Sequence, residues 1–365
     1  MSVTTKPPAN HAGRNSSWLA GFLRRKIGAG GMPVGEYLPT VRALSGEHGV
    51  SRETARRAIK LLEAEGLVAA EARHGVRVLA RVNDPDRGLP VAFVASTPEG
   101  PGLWDDFHRM LLAGLQKAAA ERGWSLLAVA GVGRSGREVT EQLRDCRVCG
   151  IVLDTISPEV VAAVRRLGMP AVMMDAWDPE MSLDAAVQDG FQGALLAAQH
   201  LAGRGHRRIG WLGPIAESAQ SRERFGGAAA GIAAAGLELV PEFLADTPRA
   251  GAPAAARRML ARPDRPTAVL GLWHEAAAAL VRAADELGLR AGSDLEVVGW
   301  TPEEQYDTVY RALFDGGAPP ATMVWSVAEL ARAAVARLAE RRAKPGLAPA
   351  LIKIPVRLRL AGAPG

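Results

Sequence analysis

Residues 40–66 read Thr-Val-Arg-Ala-Leu-Ser-Gly-Glu-His-Gly-Val-Ser-Arg-Glu-Thr-Ala-Arg-Arg-Ala-Ile-Lys-Leu-Leu-Glu-Ala-Glu-Gly. This stretch predicts two helices separated by a sharp turn. Thr40 is placed to cap a short helix carrying Val41, Arg42, Ala43 and Leu44, and Gly49-Val50 breaks it. Ser51 caps a longer helix over 52–65, in which Ala55, Ala58, Ile59 and Leu62 share one face. Gly66 stands where a helix ends in a left-handed residue. Upstream, Trp18, Leu19, Phe22, Leu23 and Ile27 recur at helical spacing behind a cap at Ser16 or Ser17. Downstream, 67–70 and 76–79 read as short strands joined through Ala72-Arg73-His74-Gly75. Three helices and a hairpin make a winged helix-turn-helix, whose third helix enters the DNA major groove.

The polar face of that third helix carries Arg52, Glu53, Arg56, Arg57 and Lys60. Its first turn, at Ser51, Arg52 and Thr54, offers free backbone N–H groups to a phosphate. Arginine also binds guanine through two hydrogen bonds. The alternative reading of the same residues is a solvated basic face. Charge distribution favours the nucleic-acid reading. The 365-residue chain has a net charge of +5, but residues 1–90 hold 14 Lys+Arg against 8 Asp+Glu, a net +6. The remainder is therefore near neutral, a small basic head on a larger body.

Composition excludes other classes. With 48% apolar and 23% charged residues, the chain is an ordinary globular sequence with room for two or three domains. Two cysteines, Cys146 and Cys149, exclude a secreted disulfide scaffold and point to a reducing cytoplasm. The first 15 residues lack the apolar segment of a signal peptide, and no apolar run reaches the ~18 residues of a membrane span.

The order Gly35…Leu38-Pro39-Thr40-x-Arg42…Gly49-Val50-Ser51-Arg52-x-Thr54-x-Arg56…Gly66-Leu67-Val68…His74-Gly75 resembles the GntR-family DNA-binding domain over about 16–80. That resemblance implies DNA contacts from Arg42, Arg52 and Arg56, polar contacts from Ser51 and Thr54, and a wing tip at His74 and Gly75. Glu53, which repels phosphate or accepts from a cytosine amino group, and Val76 in the wing depart from the family pattern.

Residues 81–90, polar with two prolines, read as a linker. From Val91 onward, strand-like and helix-like segments alternate. Strands are predicted at 91–95, 125–130, 148–153, 171–174, 208–212, 268–272 and 296–298. Helices are predicted at 104–122, 138–144, 158–167, 191–203, 221–235, 254–261, 275–287 and 325–342. Such alternation builds parallel sheets with helices on both faces, and its length favours two lobes over one sheet. Ligands in such folds lie beyond the carboxyl ends of strands. That rule nominates Ser96, Asp154, Asp175, Trp177, Gly213, Trp273, His274, Trp300 and Thr301, with Trp104 close by. The tryptophans suit stacking on a planar or sugar ring, or packing in the core.

The body also resembles the LacI/periplasmic-binding-protein-like effector domain. The residues that carry this are Pro170-Ala-Val-Met-Met-Asp175, Val187-Gln-Asp189-x-x-x-Gly193, His200-Leu201-x-x-x-Gly205-His206-Arg207-Arg208-Ile209, Ser221-x-x-Arg224-x-x-Gly227 and the closing Ile354-Pro355-Val356-Arg357-Leu358, which fits a final strand. The resemblance implies two lobes around a cleft, a homodimer formed through the body, and a small-molecule effector such as a sugar or related metabolite. Asp175 and Arg224 match positions that bind sugar hydroxyls in that family. Trp273-His274 replaces the family's usual Asn-Asp, Trp300-Thr301-Pro302 replaces an aromatic residue followed by Asp-Asp, and Ser326 aligns with a polar position near the last helix. Fewer carboxylates mean fewer bidentate acceptors for vicinal hydroxyls, which favours a flatter ligand or a cleft that binds weakly.

Other motifs carry less. Gly131-Val-Gly133-Arg-Ser-Gly136 spells a dinucleotide fingerprint, but a short polar helix follows it, which favours a surface turn. Cys146-x-x-Cys149 has no second pair with which to bind structural zinc. A pyridoxal-phosphate enzyme needs a Schiff-base lysine, and the only lysines beyond Lys60 are Lys117, Lys344 and Lys353, none of them behind a cleft strand. The expectation is an α/β protein with no cofactor and no catalysis: a winged helix-turn-helix at 16–80, a linker at 81–90, and a two-lobed effector domain at 91–360. It would act in the cytoplasm as a dimeric repressor on a near-palindromic operator of double-stranded DNA. Its effector site would comprise Ser96, Trp104, Asp175, Arg224, Trp273, His274 and Thr301. The alternatives are a sensor without DNA regulation, or an enzyme.

Overall fold

The computed structural model describes residues 15–28, 31–72, 74–79, 89–95, 106–131, 134–154, 157–314 and 317–361. Residues 81–88 of the expected linker, and Arg73, Ser96 and Trp104, lie outside the described residues. The chain divides into two compact units. One is Met1–Ala92 with Leu115–Leu127 and Leu143–Cys149, and the other is Phe93–Gly114, Ala128–Gln142 and Gly150–Gly365.

The head consists of α1 (Ser16–Gly28), α2 (Val41–His48), α3 (Arg52–Ala64), β1 (Val68–Glu71) and β2 (Gly75–Val78). Its core holds most of the predicted apolar residues, with Trp18 and Phe22 only partly buried against it. Leu19, Leu23, Ile27, Leu44, Ala55, Ala58, Ile59, Leu62, Leu67 and Val78 are all buried, each large side chain contributing about 1.5–3 kcal/mol. Thr40 and Ser51 cap α2 and α3, accepting from the backbone N–H of Ala43 (3.2 Å) and Thr54 (3.0 Å). Gly49 and Gly66, at φ +65° and +63°, end the same two helices. The cap of α1 is Asn15, one residue before the predicted serines. Its Oδ1 accepts from Trp18 N–H at 2.9 Å because the helix already begins at Ser16. Arg24 donates to Glu65 at 2.8 Å, tying α1 to the end of α3. Tyr37 pairs with Arg77 beside the hairpin, and both side chains bond Glu71, Tyr37 at 2.7 Å and Arg77 at 2.9 Å. The Tyr37 bond, and after it Arg77, hold the Glu71 carboxyl below the usual range despite partial burial.

In the body, the first lobe builds on β3 (Val91–Ala95), α4 (Asp106–Ala120), β4 (Leu126–Ala130), α5 (Gly136–Asp145), β5 (Gly150–Asp154), α6 (Pro158–Arg166), β6 (Ala171–Met174) and β7 (Asp184–Gln188). The chain then enters the second lobe through α7 (Gly190–Gly203), β8 (Ile209–Leu212), α8 (Ala219–Ala234), β9 (Leu244–Ala245), α9 (Ala252–Leu260), β10 (Ala268–Gly271), α10 (His274–Glu286), β11 (Glu296–Pro302) and β12 (Ala321–Trp325). It returns by α11 (Val327–Ala343) to β13 (Leu351–Ile354) and crosses again to β14 (Arg357–Arg359). The first sheet runs β13-β7-β6-β5-β3-β4 and the second β14-β12-β11-β10-β8-β9.

Three expectations are corrected. The closing segment at 354–358 is not one strand. β13 pairs in parallel with β7 of the first sheet, and β14 pairs antiparallel with β12 of the second, with Pro355-Val356 between them. Trp325 ends β12 instead of starting the last helix. The strand beginning at Glu296 runs on to Pro302, which places Trp300 and Thr301 inside the sheet.

Packing explains the family-like motifs. His206 lies 2.8 Å from Glu296 through Nε2 and 2.9 Å from Thr267 through Nδ1, while Arg204 donates to Glu296 at 2.7 Å. The Gly205–Ile209 motif therefore ties the end of α7 to the start of β11. Asp184, fully buried at the start of β7, accepts from Arg337 (2.8 Å) and Arg341 (2.7 Å) of α11 and from Ala350 N–H (2.9 Å). α8 seats on α7 through glycine. A Cβ at Gly227 would lie 2.0 Å from the Phe191 carbonyl oxygen, and one at Gly231 would lie 2.6 Å from that of Leu195.

Gly227→Ala should therefore lower unfolding free energy by about 3 kcal/mol or more, since backbone must move to admit the methyl. Gly46, in α2 with open space around it, should behave oppositely. Gly46→Ala is expected to stabilise the head by about 0.5–1 kcal/mol. Denaturant unfolding of both variants checks the pair.

Candidate functional site

Two surfaces bring the predicted residues together. On the head, Arg42, Arg52, Arg56, Arg57 and Lys60 are exposed. Glu53, the expected repulsive position, sits 3.2 Å from Arg57 one turn away. Its charge is spent within the helix, and Arg52, Arg56 and Lys60 have no ion pair among the described residues. Ser51 and Thr54 hydroxyls bond each other at 2.8 Å at the first turn of α3. At the wing tip, His74 is exposed with Nδ1 3.0 Å from the Ala72 carbonyl. Gly75 follows at φ +116°, a conformation that a side chain strains.

In the body, strand ends converge as the strand-end rule requires. Asp154 ends β5, Asp175 follows β6 and Gln188 ends β7. Arg224 of α8 and Trp300 of β11 meet them from the second lobe, both at Gln188, whereas Trp273-His274, at the start of α10, contact Arg249 and Glu275 of their own lobe. Asp175 is only 8% exposed and has φ +54°, a left-handed conformation costing on the order of 1 kcal/mol outside glycine. Its carboxylate accepts from Gln188 Nε2 at 3.0 Å, and Gln220 donates to its backbone carbonyl. Burial pushes the Asp175 carboxyl up to about 7, and nearby Asp154 adds to this, against the Gln188 hydrogen bond and the Arg224 charge. His108 lies 3.1 Å from Asp154.

Arg224 donates through Nη1 to the Leu272 carbonyl (2.7 Å) and through Nη2 to Gln188 Oε1 (3.0 Å). Its guanidinium lies 4.3 Å from the centre of the Trp300 ring, whose Nε1 donates to the same Gln188 oxygen at 2.7 Å. Burial pulls Arg224 down to about 10 despite the opposing charge of Asp175. Trp273 lies beneath Arg249 at 5.0 Å, and Arg249 and His274 both pair with Glu275, at 3.0 and 3.2 Å. Burial alone would raise Glu275, but His274 and Arg249 hold it below the usual range. Thr301 is fully buried, with its hydroxyl donating to the Pro302 carbonyl at 3.4 Å, so it lies within the sheet behind the cleft surface. Ser326 caps α11 and donates to Glu304 at 2.9 Å. Glu304 also accepts from Val327 and Ala328 N–H, both at 3.0 Å, so this helix start is already filled by a carboxylate of the chain.

Sequence reasoning missed Gln188, Gln220 and His108 as cleft residues. Gln188 sat inside a quoted motif, next to Asp189, but its strand carried no alternation to announce it. The dinucleotide string fares poorly in three dimensions. Gly136 N–H donates to Glu159 at 2.9 Å and Ser135 N–H to Glu138 at 2.7 Å, so carboxylates occupy the start of α5 where a pyrophosphate would sit. Val132 and Gly133 lie outside the described residues. Neither cysteine forms a disulfide, and Cys149 is buried with its thiol donating to the Leu89 carbonyl at 3.4 Å. Among the described residues, no three His, Cys, Asp or Glu side chains are grouped to hold a metal.

The raised Asp175 carboxyl gives a signed prediction. Between about pH 4 and 7 the folded chain holds this proton and the unfolded chain does not, so stability falls as pH rises through that window. The contribution is at most about 4 kcal/mol, from roughly three pKa units. Asp175→Asn should flatten the decline of stability between pH 5 and pH 8 in urea unfolding. An unchanged slope would contradict a raised Asp175.

Comparison with known proteins agrees with this architecture. Residues 17–78 match the bacterial regulatory proteins of the gntR family, and residues 198–360 match the periplasmic binding protein-like domain. The ribose operon repressor of Escherichia coli is 31% identical over 252 residues, covering 66% of this chain and 73% of that protein. The HTH-type transcriptional repressor PurR of Photobacterium profundum is 28% identical over 226 residues, covering 60% of this chain and, just under two thirds, 65% of that protein. A crystal structure of a LacI-family regulatory protein from Chloroflexus aggregans superposes with a TM-score of 0.65 at 22% identity, covering 75% of this chain and 98% of that one. Among the described residues, no helix is long and apolar enough to cross a membrane. The chain belongs to the LacI-type repressor family in its body, and carries a gntR-family winged helix-turn-helix as its head.

Proposed function

We propose that this protein is a ligand-responsive transcriptional repressor that binds a near-palindromic operator in the cytoplasm as a homodimer. The observation that carries this reading is the unpaired Arg52 and Arg56 on the capped third helix of a winged head, in a chain whose body has a polar cleft. Residues 16–80 read DNA, 81–90 connect, and 91–360 bind the effector and the second copy. Arg42, Arg52 and Arg56 contact bases and phosphates, Ser51 and Thr54 fix the start of α3 on the backbone, and His74 with Gly75 reaches the minor groove. Two heads a helical turn apart, ~34 Å, read successive major grooves.

The effector is a sugar or related metabolite held by Asp175, Arg224, Trp273 and His274, together with Ser96 and Trp104. Buried Thr301 shapes the wall from behind. Binding and release are the whole activity, with no catalytic step. Effector binding changes operator affinity, and by linkage operator binding changes effector affinity by the same factor.

A mobility-shift titration with DNA from the protein's own promoter tests this. Arg52→Ala should weaken specific binding by about 1–3 kcal/mol and relax base preference at one position. Asp175→Ala should leave operator binding intact and remove only the effector response. Failure of the intact protein to bind at low salt, or equal loss of DNA binding in both variants, would overturn the assignment.

A further inference from the structure

Three consecutive-turn residues of α8 reach from the second lobe to the first. Gln220 donates to the Asp175 backbone carbonyl, Glu223 pairs with Lys353 of β13 at 3.1 Å, and Arg224 donates to Gln188 of β7 at 3.0 Å. Positions i, i+3 and i+4 share one helical face, so α8 presents all three together. Lys353 also reaches Asp189 at 3.3 Å, beside the first crossing of the chain. Gly190 lets this face come close, because a Cβ there would sit 3.3 Å from Arg224 Cγ.

Within this set the Gln188 side chain is distinctive. It is buried, and its amide is used at both ends. Nε2 donates to Asp175 of its own lobe at 3.0 Å. Oε1 accepts from Arg224 at 3.0 Å and from Trp300 at 2.7 Å, both of the other lobe. A primary amide is uncharged and can donate from its nitrogen while its oxygen accepts twice. One carboxylate oxygen of Asp175 and one guanidinium nitrogen of Arg224, at the two positions proposed for the effector, are thus engaged by one side chain of the protein.

We propose that Gln188 is a latch between the lobes and an internal competitor of the effector. Its acceptor oxygen joins the first lobe to Arg224 and Trp300, and its donor end fixes it to Asp175. An effector that reaches both Asp175 and Arg224 displaces this amide, and must bring its own acceptor to the guanidinium and its own donor to the carboxylate. The competition rests on the cleft being the effector site, whereas the latch rests on the contacts alone.

The test uses the full chain with no DNA or effector added. Gln188→Leu keeps most of the volume and removes both ends of the amide. Backbone amide exchange at 189–194 and 353–357 should accelerate about tenfold, the change expected when two hydrogen bonds of ordinary net strength are lost. The radius of gyration from small-angle scattering should rise. Trp300→Phe, which removes one of the two bonds Gln188 makes to the other lobe, should accelerate exchange at the same segments by a smaller factor. The double variant should open no further than Gln188→Leu. If Gln188→Leu does not fold, Trp300→Phe decides by the same readings. Unchanged exchange at both segments and an unchanged radius, even with a lowered melting temperature, would reduce Gln188 to a packing residue and overturn the latch. Loss of operator recognition elsewhere would leave these readings untouched, so the latch and the repressor assignment fail separately.

Discussion

The body is organised by the fact that its chain crosses between lobes three times: after β7, after β12, and between β13 and β14. Neither sheet is completed by a contiguous stretch of sequence. The first sheet waits for β13 and the second for β14, both from the last few residues of the chain. Three crossings keep the lobes from behaving as independent domains on one tether. They also place Gln188, Asp189 and Ile354 at the join, where the backbone passes directly behind the cleft. Asp184 and its two arginines then lock α11 onto the first sheet, so that the returning chain is held on both sides of its crossing. A buried carboxylate of this kind costs several kcal/mol in desolvation, which its three hydrogen-bond donors must offset.

The electrostatics of the two functional surfaces are opposite in kind. On α3, Arg52 and Arg56 stand in water without an ion pair among the described residues, free to exchange solvent for phosphate and base edges. In the cleft Asp175 and Arg224 are both tied to the Gln188 amide, in surroundings whose burial raises Asp175 and lowers Arg224. In the proposed function, DNA binding by the head is therefore a salt-sensitive, long-range attraction, and effector recognition in the cleft an exchange of short hydrogen bonds, nearly indifferent to ionic strength.

The head was legible because its signals are local. Caps at Thr40 and Ser51, left-handed glycines at 49 and 66, and an apolar stripe three and four residues apart each act within one helical turn. The alternation of the body was legible for the same reason. What escaped were elements whose identity depends on partners distant in sequence. β7 reads Asp-Ala-Ala-Val-Gln, with one β-branched residue and no alternation, because all five residues are buried on both faces. The split of 354–358 into two strands was invisible because either half alone looks extended. In the cleft, Asp175 and Arg224 could be found by resemblance. Gln188 gained its role only when β7, α8 and β11 brought three bonds to one amide.

α8 has two stretches with different freedoms. In its second half, Gly227 and Gly231 are pressed against the backbone of α7, so that stretch is closed to any larger residue. In its first turns, Gln220, Glu223 and Arg224 touch the far lobe through side chains alone. The helix is thus anchored independently of the groups it displays. Substitutions on a single turn could re-aim the cleft toward a new molecule while the scaffold and the reading head stay as they are. Diversification of the response, in nature or by design, would be cheapest at those three positions.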